Sequence, residues 1–206
     1  MSESPRRESP LAEFYATELG GREPGEAGCE LQERPFLGHL NLRGDPADAA
    51  FLEAVKGVVG FGLPLQPNTI AGNPELIALW LGPNEWLLLT PRDQQARIGD
   101  ALRTALGDMF AAVTDVSDGQ TMITVRGAHA RDVLGKGCSL DLHPRVFGAG
   151  RCAQTLLARA GVVIRQRDDS PSFDVIVRRS FADYLARWLK DAAREYGVRV
   201  IPPPAD

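Results

Sequence analysis

A chain of 206 residues, 44% hydrophobic and 24% charged, has an ordinary globular composition and is long enough to bury a substantial core. Its net charge of −4, with no dominant basic patch, argues against a nucleic-acid partner. Three cysteines without CxxC spacing suit free thiols in a reducing compartment, and no apolar run reaches the roughly 20 residues that span a bilayer, so a cytoplasmic protein without a membrane partner is expected.

Residues 1–30 are rich in Glu, Gly, Pro, Ser and Arg and read as an N-terminal arm or tail. The start, MSESPRRESP, has no apolar segment after its charges and does not read as a secretory signal. Within the arm, residues 11–19 could form a short helix whose apolar side, with Phe14 and Tyr15, would order on a partner.

From residue 34 the pattern sharpens. Residues 36–42 read as a strand. Asp45 and Pro46 suit a helix cap and first position, followed by a helix over 48–59. A Pro-rich connector leads to strands at 75–81 and 85–90, joined at Gly82-Pro83-Asn84, and then to a helix over 93–106 stopped by Gly107. The order then repeats. Strands at 112–116 and 120–125 precede a helix over 128–134. Strands at 154–159 and 162–166 turn at Ala160-Gly161, and a further strand covers 173–177. A helix over 180–196 and a short strand at 198–201 close the pattern before a tail at 202–206.

Both repeats end a strand on Arg-Gly (Arg43-Gly44 and Arg126-Gly127) and open a helix within a few residues. This points to an internal duplication. The predicted fold class is α+β. It consists of two tandem ferredoxin-like halves, about 31–111 and 112–201, with antiparallel sheets and helices on one face.

Catalytic chemistry is hard to find. Cys138 and His143 lack zinc spacing and further ligands. Gly135-Lys136-Gly137 lacks the phosphate-loop spacing. Asp115 and Asp118 read as turn residues, and Arg165, Arg167, Asp168 and Asp169 as a solvated loop. The sequence therefore yields no catalytic, cofactor-binding or metal-binding residue. The alternation of the 75–81 and 85–90 strands could expose one tryptophan, and an exposed Trp86 near a hairpin tip would suit a protein interface.

Three stretches together resemble the gamma subunit family of heterotetrameric sarcosine oxidase: Leu81-Gly-Pro-Asn-Glu-Trp-Leu-Leu-Leu89, Thr114-Asp-Val-Ser-Asp-Gly-Gln120 with Val125-Arg-Gly127, and Ser172-Phe-Asp-Val-Ile-Val-Arg-Arg-Ser-Phe-Ala-Asp-Tyr-Leu-Ala-Arg-Trp-Leu189. More distantly, they are similar to the folate-binding core of the glycine-cleavage T-protein (aminomethyltransferase). The resemblance implies a T-protein-like fold and a non-catalytic structural subunit. Its partners would be alpha, beta and delta chains, mainly alpha. The complex would demethylate sarcosine oxidatively to glycine, release hydrogen peroxide and pass a one-carbon unit to tetrahydrofolate. FAD, FMN, NAD and zinc would lie on other subunits. T-proteins carry a Gly-Gly-x-x-Asp-Asp-type segment, and its acidic positions fall here on Ile164 and Arg165, which cannot relay a proton. Expected partner contacts are Trp86, Arg145, Phe147, Phe14 and Tyr15. Two other readings remain. One is a free-standing folate-binding, aminomethyltransferase-like protein. The other is an assembly factor for iron–sulfur enzymes using Cys138.

Overall fold

In the computed structural model, which describes residues 7–23 and 25–204, two stacked sheets carry the helices on their outer faces. Chain order begins with α1 (Ala12–Glu18), β1 (Gly20–Gly21), β2 (Cys29–Arg34), β3 (Gly38–Arg43) and α2 (Ala49–Val59). It continues with β4 (Ile70–Gly72), β5 (Ile77–Gly82), β6 (Glu85–Thr90), α3 (Gln95–Leu106) and β7 (Ala112–Asp115). The remainder is β8 (Gln120–Arg126), α4 (Ala130–Gly135), β9 (Cys152–Leu157), β10 (Ala160–Gln166), β11 (Ser172–Arg178), α5 (Ala182–Ala192) and β12 (Val198–Ile201).

The strand order is β1-β12-β2-β8-β11-β10-β9 in one sheet and β4-β5-β6-β3-β7 in the other. All pairs are antiparallel except β12 with β2. The α+β class with antiparallel sheets is therefore present, but the strands do not sort into the two expected segments, 31–111 and 112–201. Each gives its leading strand to the other: β2 pairs with β8, and β7 pairs with β3.

The layers explain the sequence pattern. Phe51, Val55, Ile98 and Leu102 of α2 and α3 pack on Leu40, Leu42, Trp86 and Leu88 of the five-stranded sheet. On the other side, Val133, Leu134, Leu185 and Leu189 of α4 and α5 pack against Leu31, Val125, Ile164 and Val175 of the seven-stranded sheet. Between the sheets lie Leu79, Leu87, Leu89, Met122, Cys152 and Ile176. Strand β6 is thus buried on both faces, which is why Trp86 to Leu89 is an unbroken apolar run rather than an alternation.

The arm belongs to this body. Leu11, Phe14 and Tyr15 join the core under α5, and β1 extends the seven-stranded sheet through β12. Each such buried side chain contributes about 1.5–3 kcal/mol of apolar transfer. Buried Glu33 fastens the arm further. Its backbone N–H donates to the Tyr15 hydroxyl at 2.6 Å, and its carboxylate accepts from Ser9 Oγ and from Thr121 Oγ1. Burial pushes the Glu33 carboxyl above its ordinary value.

Several boundaries differ from expectation for local reasons. Asp48, not Asp45, caps α2, accepting from Ala50 N–H at 2.9 Å, while Asp45 closes a turn onto Ala47 N–H. The hairpin predicted at Ala160-Gly161 turns two residues earlier, at Ala158 and Arg159, with Ala158 at φ 52°. The last helix spans 182–192, flanked by short 3-10 turns. The two Arg-Gly pairs need glycine for different reasons. A Cβ on Gly44 would lie 2.2 Å from the Phe51 ring, whereas Gly127 has φ +122° and abuts the Gly28 carbonyl.

Candidate functional site

Strand β11 places Asp174 in the middle of the run Ser172-Phe-Asp-Val-Ile-Val177, where its side chain is fully buried. Cross-strand register supplies its partners: Thr124 of β8 on one side and Arg165 of β10 on the other. Thr124 Oγ1 donates to Asp174 Oδ1 at 2.8 Å, and an Arg165 guanidinium nitrogen lies 2.6 Å from Oδ2. Arg167, two residues on and so on the same face, comes within 3.6 Å of Oδ1. Arg34, at the end of β2, is half-buried nearby. Burial first, and then the charges of Arg167 and Arg165, hold its guanidinium below the ordinary value. Arg34, Arg165 and Arg167 line a cavity of about 480 Å³ bounded on its other side by β4.

The solvated loop expected from Arg165 onward begins only at Arg167. Arg165 lies instead inside β10, with its side chain 15% exposed and ion-paired. Ile164 and Arg165 point to opposite faces of β10: Ile164 into the helix-side core, Arg165 onto Asp174.

The expected contact residues are mostly interior. Trp86 is fully buried, donates its indole N–H to the Pro64 carbonyl at 2.8 Å, and packs against Phe51. The helix layer over Phe51 covers the ring, and the stacking of the second sheet closes the opposite face of β6. Phe14 and Tyr15 are covered by the chain's own α5 layer. Phe147 is buried because Arg131 anchors its connector: one guanidinium nitrogen reaches the Leu142 and Phe147 carbonyls, and the other lies 2.8 Å from Gln166 Oε1. Of the five, Arg145 alone is exposed.

The exposed apolar side chains are different ones. Phe110 is fully exposed beside β7, the edge strand of the five-stranded sheet, and Val146 and Leu156 are more than half exposed. Phe110 had no distinguishing signal, because an aromatic between a helix stop and a strand usually caps the core. Asp174 did have one: a carboxylate inside an apolar strand needs a buried partner.

All three cysteines are free and buried. Burial pushes the Cys29 thiol up to about 12 and that of Cys152 up to about 11, which leaves both unreactive. Cys138 is 9% exposed against Thr155, a poor setting for the assembly-factor reading. Asp115 and Ser117 form the expected turn, in which Ser117 N–H donates to Asp115 Oδ1 at 3.0 Å. Among the described residues no group of three His, Cys, Asp or Glu could hold a metal ion, and no helix is long and apolar enough to cross a membrane.

Residues 43–195 match the model of the "sarcosine oxidase, gamma subunit" family. The chain belongs to this family. The sarcosine oxidase subunit gamma of Corynebacterium sp. (strain U-96) is 35% identical over 193 residues, 93% of this chain and 92% of that protein. The counterpart from Corynebacterium sp. (strain P-1) is 36% identical over 81% of each chain. In solved structures, a chain of the heterotetrameric sarcosine oxidase from Corynebacterium sp. U-96 superposes with TM-score 0.83 and 33% identity, covering 92% of this chain and 96% of that one. The glycine-cleavage aminomethyltransferase T of Bartonella henselae superposes with TM-score 0.69 over 93% of this chain and 58% of its own, at 14% identity. That likeness shows a shared T-protein-like fold alone.

Proposed function

We propose that the chain is a structural gamma subunit of a cytoplasmic heterotetrameric sarcosine oxidase, supporting oxidative demethylation of sarcosine without supplying reacting groups itself. The observation that carries this reading is the near full-length superposition on a chain of a heterotetrameric sarcosine oxidase. Its partners are then alpha, beta and delta chains, chiefly alpha. FAD, FMN, NAD, zinc and tetrahydrofolate belong to those subunits.

The surface offered to partners keeps Arg145 and adds exposed apolar side chains. Phe110 with the β7 edge forms one contact, and Arg145 with exposed Val146 forms another. An exposed aromatic beside a strand edge supplies both an apolar anchor and unpaired main chain.

Co-expression of the tagged chain with alpha, beta and delta subunits, followed by size-exclusion chromatography, tests the reading. Co-elution in one flavin-bearing complex that oxidises sarcosine is expected. Elution of the chain alone, soluble and binding tetrahydrofolate, would replace the subunit reading with the free-standing folate-binding one.

A further inference from the structure

Asp174 sits among more positive charge than it can neutralise. Its carboxylate is shared by Arg165 at 2.6 Å and Arg167 at 3.6 Å, and Arg34 lines the cavity beside those two arginines. Asp168, on the rim, is held by its own turn, accepting from the backbone and hydroxyl of Ser170. Three guanidiniums against two carboxylates leave one positive charge unmatched. Among the described residues, the Arg34 side chain makes no hydrogen bond or ion pair. The Arg165 Nε–H and, in the same pair, Asp174 Oδ2 are also buried without a hydrogen-bond partner. A half-buried cation and an orphan buried donor are costly unless something answers them.

The space for an answer is present. The cavity of about 480 Å³ has Arg34, Arg165 and Arg167 along one side and the small residues Ala71 and Gly72 of β4 along the other. We propose that this cavity binds a single carboxylate group, gripped by the guanidiniums of Arg34, Arg165 and Arg167. The single unmatched charge favours a monoanion over a phosphate dianion, which the Asp174 and Asp168 carboxylates would oppose. The planar guanidinium fork matches the two oxygens of a carboxylate. The carboxylate comes either from a free small molecule or from an acidic side chain of a partner subunit. The site itself stands on this geometry and not on the subunit reading.

The test uses the full chain with sodium acetate as probe, against sodium chloride at matched ionic strength. Acetate is expected to raise the thermal midpoint saturably and to move the Nε–Hε signals of Arg34, Arg165 and Arg167 in ¹H–¹⁵N spectra. Arg34→Gln should be as stable as the parent or more so in chloride, because crowding among the guanidiniums is relieved. It should weaken acetate binding by at least about tenfold. Arg145→Gln, on the exposed connector, should respond like the parent. Acetate acting no differently from chloride overturns the site. So does an Arg34→Gln variant that is destabilised in chloride yet keeps its acetate response, the pattern of a purely structural arginine. Repeating the titration on the assembled complex separates the sources. A retained response identifies a free carboxylate; a lost response, with weakened assembly of Arg34→Gln, identifies a partner's acidic side chain.

Discussion

Replacing Asp174 with asparagine removes one charge and almost no volume. The carbonyl oxygen of the new amide could still accept from Thr124 Oγ1, so the change isolates the ion pair with Arg165. The pair is deep: Asp174 is fully buried and the Arg165 side chain is 15% exposed. Removing one member of such a pair strands the other in a poorly solvated place, which costs about 3–5 kcal/mol. Here Arg167 and Arg34 lose their nearest shared anion as well, so the upper part of that range applies. For a chain of this size each kcal/mol lowers the melting temperature by about 2–4 °C, so about 4–5 kcal/mol gives a fall of roughly 8–20 °C. Thermal unfolding followed by circular dichroism measures it, with urea unfolding as a second readout. A companion variant, Asp174→Leu with Arg165→Met, removes both charges and should recover most of the loss, because an apolar pair of similar volume replaces the desolvated ions. An Asp174→Asn protein within about 1 kcal/mol of the parent would refute the claim that this ion pair organises the face.

Three further outcomes follow from the same physics. Burial pushes the His39 imidazole down to about 4 from 6.5, so the folded chain takes up its proton later than the unfolded one as pH falls. That contribution to stability is complete above pH 6.5 and is lost as pH falls towards 4, a total of roughly 3 kcal/mol at about 1.36 kcal/mol per pH unit. The difference in unfolding free energy between the parent and His39→Leu should show this slope, and identical slopes in that window would exclude it. Tyr15→Phe removes the acceptor of the buried Glu33 N–H, for a loss of about 1–3 kcal/mol by urea unfolding and faster proteolysis of the arm; unchanged cleavage would show that the arm is held otherwise. Phe110→Asp changes a fully exposed side chain and should alter stability by less than about 0.5 kcal/mol while abolishing co-elution with the partner subunits. Normal assembly of that variant would remove the β7 edge from the interface.

The sequence made the elements legible where one signal dominated. Gly107 stops α3 and the Gly82-Pro83-Asn84 turn joins β5 to β6 as expected. It misplaced features that depend on what lies opposite. Trp86 opens the apolar run Trp86 to Leu89, the mark of a strand buried from both sides, which a reading by alternation overlooks. The β9–β10 turn slipped by two residues because Ala158, not a glycine, takes the left-handed conformation. The exchange of β2 and β7 is invisible to a repeat comparison, since each repeat keeps its own strand-helix order whichever sheet receives the strand. The arginine–aspartate cluster joins residues from β2, β10 and β11, and only the oddity of Asp174 in an apolar strand hinted at it.

The strand alternation of β10 gives Ile164 and Arg165 unequal settings. Ile164 faces the helix layer, where a charged group would be stranded, so a carboxylate there would not suit this core. Arg165 faces the cavity instead. A carboxylate at that position would accept protons and attract cations; a guanidinium fixed to Asp174 does neither, and its neighbours Arg34 and Arg167 extend the positive field. This chain therefore has a polar opening beside β4 that presents positive charge. A site of that sign selects a different class of ligand, and for a chain whose relatives are subunits of a larger enzyme, an anion grip is a means of holding a neighbour as readily as a metabolite.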